Sequence, residues 1–386
     1  MHAVSHGQAL NGIKSGSERL EVLQALRAIA AAFVVLQHSF YSHAEKITPI
    51  DPIAGVGLSY DLATFGVKLF FCISGFIIYK STVALEPGWA SASYFGRRRL
   101  IRIVPLYWAV TAVYAVKLAM QGASPSTIDV VRSFLFIPFA GDNHQIRPVL
   151  GAGWTLNFEM LFYTALCAAL VLQRQWRFVA VAAIFAGLVA ARLAGLAPSD
   201  YEVGETAWGL MADTVLLFFL AGMCVASLVH KYGARGPLPR TLLGGVALMM
   251  AILLAFTVPA SVFGLEAIGG PRSLPVVCLE VVICFALVYV CVKPYAYSGC
   301  AGARWIVEAG NGSYSTYLIH GFVMGPAARG VSKLGVTLGP WPFAICMVIV
   351  CTAIGVLVYR RFEKPTQEAL NARWGMRGMM RAASAA

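Results

Sequence analysis

The sequence predicts an all-α, polytopic membrane protein with about ten transmembrane helices and both termini cytoplasmic. Of the 386 residues, 59% are hydrophobic and only 12% are charged, and the mean hydropathy is +0.71. Soluble chains are typically about one quarter charged, so this composition excludes soluble, disordered, collagen-like and coiled-coil proteins. The net charge of +12 is spread between apolar runs. We therefore expect the lipid bilayer as a partner and no nucleic acid.

Apolar runs long enough to cross a bilayer recur along the whole chain. A transmembrane helix needs about 20 mostly apolar residues. The run at 62–80 is rich in Gly and Ser, and the run at 304–325 is interrupted by Gly310, Asn311 and Gly312. The predicted spans lie at residues 20–40, 62–80, 103–120, 154–172, 178–196, 207–230, 241–259, 274–292, 304–325 and 342–360.

Lysines and arginines between these runs predict the orientation, because cytoplasmic loops are enriched in both residues. With the N-terminus inside, most of the loop cations lie inside. We expect a cytoplasmic N-terminal tail at 1–17, a transmembrane domain at 18–366 and a basic cytoplasmic C-terminal tail at 367–386. The loop cations left outside are Lys46, Arg132, Arg147, Arg272, Arg329 and Lys333.

A secretory signal peptide at the N-terminus is the competing interpretation of the first run. Arg27 separates the basic region from the apolar stretch Ala28–Leu36, and Gln37 and His38 are poor flanks for cleavage. We therefore favour a first transmembrane helix. The cysteines show no metal-ligand spacing with one another or with histidines, so we expect small buried hydrophobic side chains and no metal site.

Ionisable side chains inside the first span are the first candidates for chemistry, because charge within a bilayer is costly and usually faces a protein interior or a hydrated cavity. Arg27 and His38 are eleven positions apart. That spacing places them on one helix face, about 16 Å apart along the axis. A single membrane histidine is often only a hydrogen-bonded core residue, but an imidazole aligned with a cation favours a functional pair.

An arginine-rich segment precedes the third span. Arg98, Arg99 and Arg102 belong to it, and Arg99 and Arg102 are spaced to lie one helical turn apart. The segment is in part a topology signal. A pair of guanidinium groups also suits bidentate binding of phosphate, so both interpretations stay open.

The fourth and ninth spans also carry buried polar groups. Glu159 is expected at a depth similar to that of His38, where it pairs with an arginine or hydrogen-bonds the histidine and raises its basicity. The ninth span contains Ser313, Tyr314, Tyr317 and His320. Polar residues this dense indicate either hydrogen bonds between helices or the lining of a hydrated cavity.

In this order, these landmarks resemble the acyltransferase 3 family of bacterial membrane O-acyltransferases. The resemblance covers about 18–366 and departs from the family pattern only slightly, at Cys72 and Thr155. The matching segments are Arg27 with His38, 65–76, 98–108, 154–159, 313–320 and Glu363-Lys364-Pro365.

The resemblance implies transfer of an acyl group, usually acetyl, from cytoplasmic acyl-CoA to a hydroxyl of an extracytoplasmic carbohydrate or glycolipid acceptor. Acyl-CoA is then a co-substrate, and no tightly bound cofactor is expected. Arg98, Arg99 and Arg102 would bind acyl-CoA with help from Arg27, and His38 would act as general base beside Glu159. The acceptor side would be lined by Trp154, Ser313, Tyr314, Tyr317 and His320.

A transporter for an anionic or lipid-linked sugar substrate is the main alternative, because intramembrane charges and interrupted helices suit a carrier. No inverted repeat is evident between the two halves of the chain, which favours the acyltransferase. The sequence leaves open the acceptor, the acyl chain, a covalent intermediate and the oligomeric state, a homo-oligomer included.

Overall fold

The chain is described by a computed structural model that covers residues 3–47, 57–139, 148–196, 207–233, 274–292, 303–336 and 338–374. Within these ranges it forms helices and no β-strand, which confirms the all-α fold class. In chain order the helices are α1 (Ala3–Lys46), α2 (Gly57–Lys80), α3 (Trp89–Met120), α4 (Thr127–Phe134), α5 (Trp154–Leu170), α6 (Arg174–Leu193), α7 (Ala207–Met211), α8 (Leu216–Tyr232), α9 (Leu274–Cys291), α10 (Ala303–Asn311), α11 (Ser313–Lys333), α12 (Pro340–Val358) and α13 (Lys364–Arg373).

Among the described residues, 7 helical segments are long and apolar enough to cross a membrane, which confirms a polytopic membrane protein. The segment Leu62–Lys80 coincides with the predicted span at 62–80. The other segments are Glu21–Lys46, Trp89–Met120, Arg174–Leu193, Gly209–Tyr232, Leu274–Cys291 and Pro340–Arg373.

Three predicted spans are not among these segments. At 154–172 the helix α5 has 17 residues, which is short for a full crossing. At 304–325 the chain forms two helices, α10 and α11, which meet at Gly312. The predicted span at 241–259 lies outside the described residues. The count of ten and the cytoplasmic placement of both termini therefore stay predictions.

Helix α3 begins well before the predicted span at 103–120. It starts after Gly88, which has φ 129°, and ends before Gly122, which has φ 77°. Glycine adopts these left-handed conformations without the steric cost that a Cβ would bring. The arginine-rich segment therefore lies inside the helix, where Arg99 and Arg102 point from the same face.

Helices α2 and α8 pack through two opposed glycines. A Cβ added to Gly75 would lie 2.2 Å from the carbonyl oxygen of Phe219, and one added to Gly222 would lie 2.0 Å from that of Cys72. Close packing of this kind is a main source of attraction between helices in a bilayer. Moving an apolar side chain from lipid into a helix interface gives little hydrophobic free energy, because lipid tails are equally apolar.

Stacked aromatic rings connect α2, α5 and α8. The ring of Phe219 lies 4.7 Å from that of Phe71 and 4.5 Å from that of Phe162, measured between centroids. Phe162 and Phe219 are fully buried. These contacts fix α2 and α5, which form two walls of the site described next.

Candidate functional site

A cavity of about 340 Å³ lies among α1, α2, α3, α5 and α11. Along α2 its lining runs from Val67 to Ile78, which corresponds to about 16 Å of helix axis. One end, which we call the arginine end, is lined by Arg27, Arg99 and Arg102. The cavity is therefore elongated, with its cations gathered at one end.

Arg102 is held at the arginine end by an ion pair with Glu363. Its Nη1 donates to Glu363 Oε1 at 2.5 Å, and Ser315 Oγ donates to Oε2 of the same carboxylate at 2.6 Å. Glu363 is only 2% exposed and lies in a single π-helical turn, Tyr359–Glu363. Such a turn is a common feature of functional sites. The carboxylate neutralises Arg102 and satisfies part of its hydrogen bonding.

Arg99 is held differently, mainly by aromatic rings. Its guanidinium lies over the rings of Phe95 and Tyr163, at 5.3 and 5.9 Å from their centroids. Its Nη2 donates to Ser81 Oγ at 3.3 Å. Its Nε is buried and has no hydrogen-bond partner among the described residues. Arg99 therefore has hydrogen-bonding capacity that the described residues leave unused.

Arg27 and Glu159 complete the arginine end. Arg27 Nη1 donates to Gln24 Oε1 at 3.1 Å, one turn earlier on α1. Glu159 lines the same cavity, and its Oε1 accepts a hydrogen bond from the Tyr163 hydroxyl at 2.5 Å. The carboxylate thus lines the same cavity as the three arginines, and its hydrogen-bond donor is Tyr163.

The opposite end of the cavity, which we call the Tyr317 end, carries no charged side chain. It is lined by Val67, Phe70, Thr155 and Tyr317. The hydroxyls of Thr155 and Tyr317 lie 3.0 Å apart in a hydrogen bond, and the rings of Phe70 and Tyr317 meet at 64° with centroids 6.4 Å apart. Three helices therefore meet at this end.

His38 and His320 form a pair of imidazoles beyond the Tyr317 end. Their ring centroids lie 4.8 Å apart with an interplanar angle of 35°. His320 is buried, whereas His38 is exposed. His320 Nδ1 lies 2.6 Å from the carbonyl oxygen of Tyr317, and the two rings are 6.0 Å apart. Since a carbonyl can only accept, Nδ1 carries the proton and Nε2 is left as an acceptor.

The structure brings most of the candidate site residues together, but in two groups. His38 and His320 do not line the cavity, so the histidine pair touches it only through Tyr317. Those that line the cavity are Arg27, Arg99, Arg102, Glu159, Ser313, Tyr314 and Tyr317.

Two further candidates lie outside the cavity lining. Arg98 donates to the hydroxyl of Tyr94 at 3.2 Å, one turn earlier on α3. Trp154 packs edge-on against Phe158, with centroids 5.9 Å apart. Its neighbour Thr155 is the residue that reaches the cavity, because the two side chains point to different sides of α5.

Glu363 and Tyr163 are site residues whose roles sequence reasoning missed. Glu363 stands in a segment that matches the family pattern, but nothing local in the sequence identifies Arg102 as its partner. Tyr163 follows Glu159 by four positions, so the i,i+4 spacing on a helix could have predicted their contact.

A buried ion pair outside the cavity was also missed. Lys68 on α2 donates to Glu280 on α9, and the two residues are 8% and 0% exposed. The sequence signal was present, since both residues interrupt strongly apolar runs. In the part of the chain that the structure describes, no group of three or more His, Cys, Asp or Glu side chains could hold a metal ion.

Comparison with known proteins identifies relatives of the chain. The chain is 31% identical over 318 residues to "Exopolysaccharide production protein ExoZ" of Rhizobium meliloti (strain 1021), which covers 80% of this chain and 91% of that protein. It is 29% identical over 185 residues to "Nodulation protein 10" of Rhizobium leguminosarum bv. viciae, which covers 41% of this chain and 48% of that protein.

A third relative matches over a shorter segment. It is "Protein 2 in picA locus" of Rhizobium radiobacter, 32% identical over 120 residues, covering 30% of this chain and 56% of that protein. No solved structure matches the chain. The family model described as "Acyltransferase domain" matches residues 20–360, which include every helix that lines the cavity. The chain is therefore a membrane acyltransferase that belongs to the acyltransferase 3 family.

Proposed function

We propose that the chain is an acyl-CoA-dependent O-acyltransferase that transfers an acyl group, acetyl foremost, to a hydroxyl of an extracytoplasmic glycan or glycolipid. One observation carries the proposal. Arg99 offers a buried, unpartnered Nε at one end of an elongated cavity, and the other end adjoins two imidazoles. A ligand that is anionic at one end and reactive at the other fits this arrangement.

The arginine end is the site for the phosphates of CoA. Three guanidinium groups gather there, and the carboxylates of Glu159 and Glu363 offset only part of their charge. Arg102 is neutralised by Glu363, so Arg99 is the principal phosphate ligand, with Arg27 beside it. Guanidinium groups suit phosphate oxygens because their donors form a planar fork. Arg98 lies outside the lining and contributes through its charge.

The Tyr317 end is the site for the thioester. The pantetheine arm runs along the cavity, which places the thioester carbonyl carbon next to Tyr317 and the histidine pair. His38 is exposed and can therefore meet an acceptor that arrives from outside the bundle.

In the reaction, His38 removes the proton of the acceptor hydroxyl while the hydroxyl oxygen attacks the thioester carbonyl carbon. A carbon–oxygen bond forms, the carbon–sulfur bond breaks, and the CoA thiolate leaves. The imidazolium of His38 then returns the proton to that thiolate. The products are an O-acyl ester and free CoA thiol, and no other reactant is required.

His320 supports His38 in this scheme. Its Nδ1 proton is engaged by the Tyr317 carbonyl, and its ring lies 4.8 Å from that of His38 at an angle of 35°. The hydrogen bond to Tyr317 fixes the orientation of the His320 ring that contacts His38. It also leaves His320 Nε2 as a second proton acceptor. Glu159 serves the arginine end, where its hydrogen bond with Tyr163 lies.

The orientation of the chain follows from the same assignment. The arginine end faces the cytoplasm, which supplies acyl-CoA, and the histidine pair faces the outer side, as the distribution of Lys and Arg in the loops favours. We place the enzyme in the bacterial inner membrane. An exopolysaccharide is the acceptor to test first, because one relative is named for exopolysaccharide production.

Reconstituted protein tests the function. Purified chain in proteoliposomes is mixed with radiolabelled acetyl-CoA and chemically deacetylated exopolysaccharide. We expect release of CoA thiol in equal amounts with alkali-labile acetate on the polysaccharide. A carrier would instead move labelled substrate across the membrane without forming an ester or releasing thiol, and that outcome would contradict the proposal.

A further inference from the structure

We infer that the side chain of Tyr317, together with Phe70, forms the end wall of the acyl pocket and restricts transfer to short acyl chains. The inference rests on the proposed function and goes beyond it, because it names the residues that select the donor. Its basis is the position of one tyrosine ring between the cavity and the imidazoles to which the proposed function assigns the chemistry.

The ring of Tyr317 is held in place from two other helices. Thr155 on α5 shares a hydrogen bond of 3.0 Å with its hydroxyl, and Phe70 on α2 meets its ring edge-on at 6.4 Å. Both partners line the cavity themselves. An aromatic ring fixed on two sides is a firm wall, because displacing it costs a hydrogen bond and a ring contact together.

Tyr317 borders both the cavity and the histidine pair. Tyr317 lines the cavity and lies 6.0 Å from the His320 ring, whereas neither His320 nor His38 lines it. A thioester whose phosphates occupy the arginine end therefore points its acyl chain toward Tyr317. The carbonyl carbon must stop beside this ring to be reached from His38, so the space left beyond the carbonyl limits the chain.

The chemistry of the wall indicates what it accepts. The residues at this end are uncharged, namely Val67, Phe70, Thr155 and Tyr317. The pocket therefore suits an aliphatic acyl group better than one that carries a free carboxylate, such as the acyl group of a dicarboxylic acid. In a close-fitting pocket each additional methylene changes the relative rate by about 10–200-fold. A wall of fixed rings can therefore separate acetyl from longer chains.

The test compares acetyl-CoA, butyryl-CoA and hexanoyl-CoA as donors, using kcat/KM for each. We expect wild type to prefer acetyl-CoA over hexanoyl-CoA by about 100-fold or more. Tyr317→Ala should reduce that preference by about tenfold or more, and Phe70→Ala should change it in the same direction. Tyr317→Phe keeps the ring and should keep the preference.

The matched control is Ile77→Ala. Ile77 lines the same cavity on α2, two helical turns from Phe70 toward the arginine end. Its truncation should leave the ratio between donors unchanged even if the rate falls. A change in that ratio as large as for Tyr317→Ala would show that any enlargement of the cavity relaxes selection, and would overturn the assignment.

Binding supplies a second measurement if Tyr317→Ala transfers nothing. The Kd values of acetyl and hexanoyl thioether analogues of CoA should then approach each other in this variant and in Phe70→Ala. Unchanged ratios in both variants would overturn the inference. Wild type that transfers acetyl and hexanoyl equally well would also overturn it, whereas wild type that uses no acyl-CoA at all would overturn the proposed function itself.

Discussion

The arginine end of the cavity and the histidine pair are two polar regions inside one apolar bundle, and they are built in opposite ways. At the arginine end, side chains of opposite charge from separate helices meet in contacts such as Arg102 with Glu363 at 2.5 Å. The histidine pair is a ring contact between two helices, with one imidazole buried and the other exposed.

In the proposed mechanism, this difference separates the binding of the donor's charge from the chemistry of transfer along the molecule. The arginine end is preorganised, since Glu363 holds Arg102 and the rings of Phe95 and Tyr163 hold Arg99 before any ligand arrives. The histidine pair is accessible, since His38 is not enclosed. Substitutions in the two regions should therefore affect different quantities, the binding of donor in one and the rate of transfer in the other.

The largest effect is expected at the histidine pair. His38→Ala should lower kcat by about 10²–10⁴-fold, the usual contribution of a general base, and leave the Kd for acyl-CoA nearly unchanged. The measurement is transfer by the reconstituted protein beside donor binding by titration. His230→Ala, which removes an exposed histidine on α8, is the control. An equal loss of binding and rate would show that His38 is structural.

The next effect is expected in stability rather than rate. Arg102→Gln should lower the free energy of unfolding by up to about 3 kcal/mol, because it leaves the 1% exposed carboxylate of Glu363 without its cation. The double variant with Glu363→Gln should recover most of the loss. Thermal unfolding in detergent measures both, and simple addition of the two single effects would show that the ion pair contributes nothing.

A smaller effect, confined to the donor, is expected at Arg99. Arg99→Gln should raise the Kd for acetyl-CoA by about 10–150-fold, which corresponds to the loss of a hydrogen bond of about 1.5–3 kcal/mol to a charged group. Acetyl-pantetheine, which has no phosphate, should bind wild type and variant alike. If the variant weakens both donors equally, Arg99 does not bind phosphate.

The smallest effect is expected at Arg98. Its hydrogen bond with Tyr94 stays on one helix, and it does not line the cavity. Arg98→Ala should raise the Kd for acetyl-CoA by less than roughly fivefold. This corresponds to less than about 1 kcal/mol of binding free energy, as for a charge at a protein surface. The same titration measures it. A loss as large as that of Arg99→Gln would mean that the phosphate site extends beyond the arginine end.

Fold elements that depend on apolar length were predictable from the sequence. The spans predicted at 62–80 and 274–292 agree with Leu62–Lys80 and Leu274–Cys291, because a run of apolar residues encodes both the presence and the length of a membrane helix. The span predicted at 103–120 begins well after Trp89, the first residue of α3, because the intervening arginines lower the hydropathy. Gly88 marks the boundary of the helix itself.

Contacts between distant segments were not predictable. The spacing of Arg99 and Arg102 predicted a shared helix face, but Glu363, which makes the two unequal, is 261 positions from Arg102. Glycines give a second case. Gly321 and Gly325 fit the spacing for close helix packing, yet a Cβ on either would meet nothing within 4 Å, whereas Gly75 packs against a backbone.

The ion pair of Lys68 with Glu280 has a consequence for biogenesis. The two residues are 212 positions apart, so the ribosome completes the lysine about 10–40 s before its carboxylate exists. A lysine at the centre of a bilayer costs about 2.5–3.5 kcal/mol on insertion scales. The segment that carries Lys68 therefore bears this cost until α9, which carries the carboxylate of Glu280, has been synthesised, and the ion pair between the two helices can form only then.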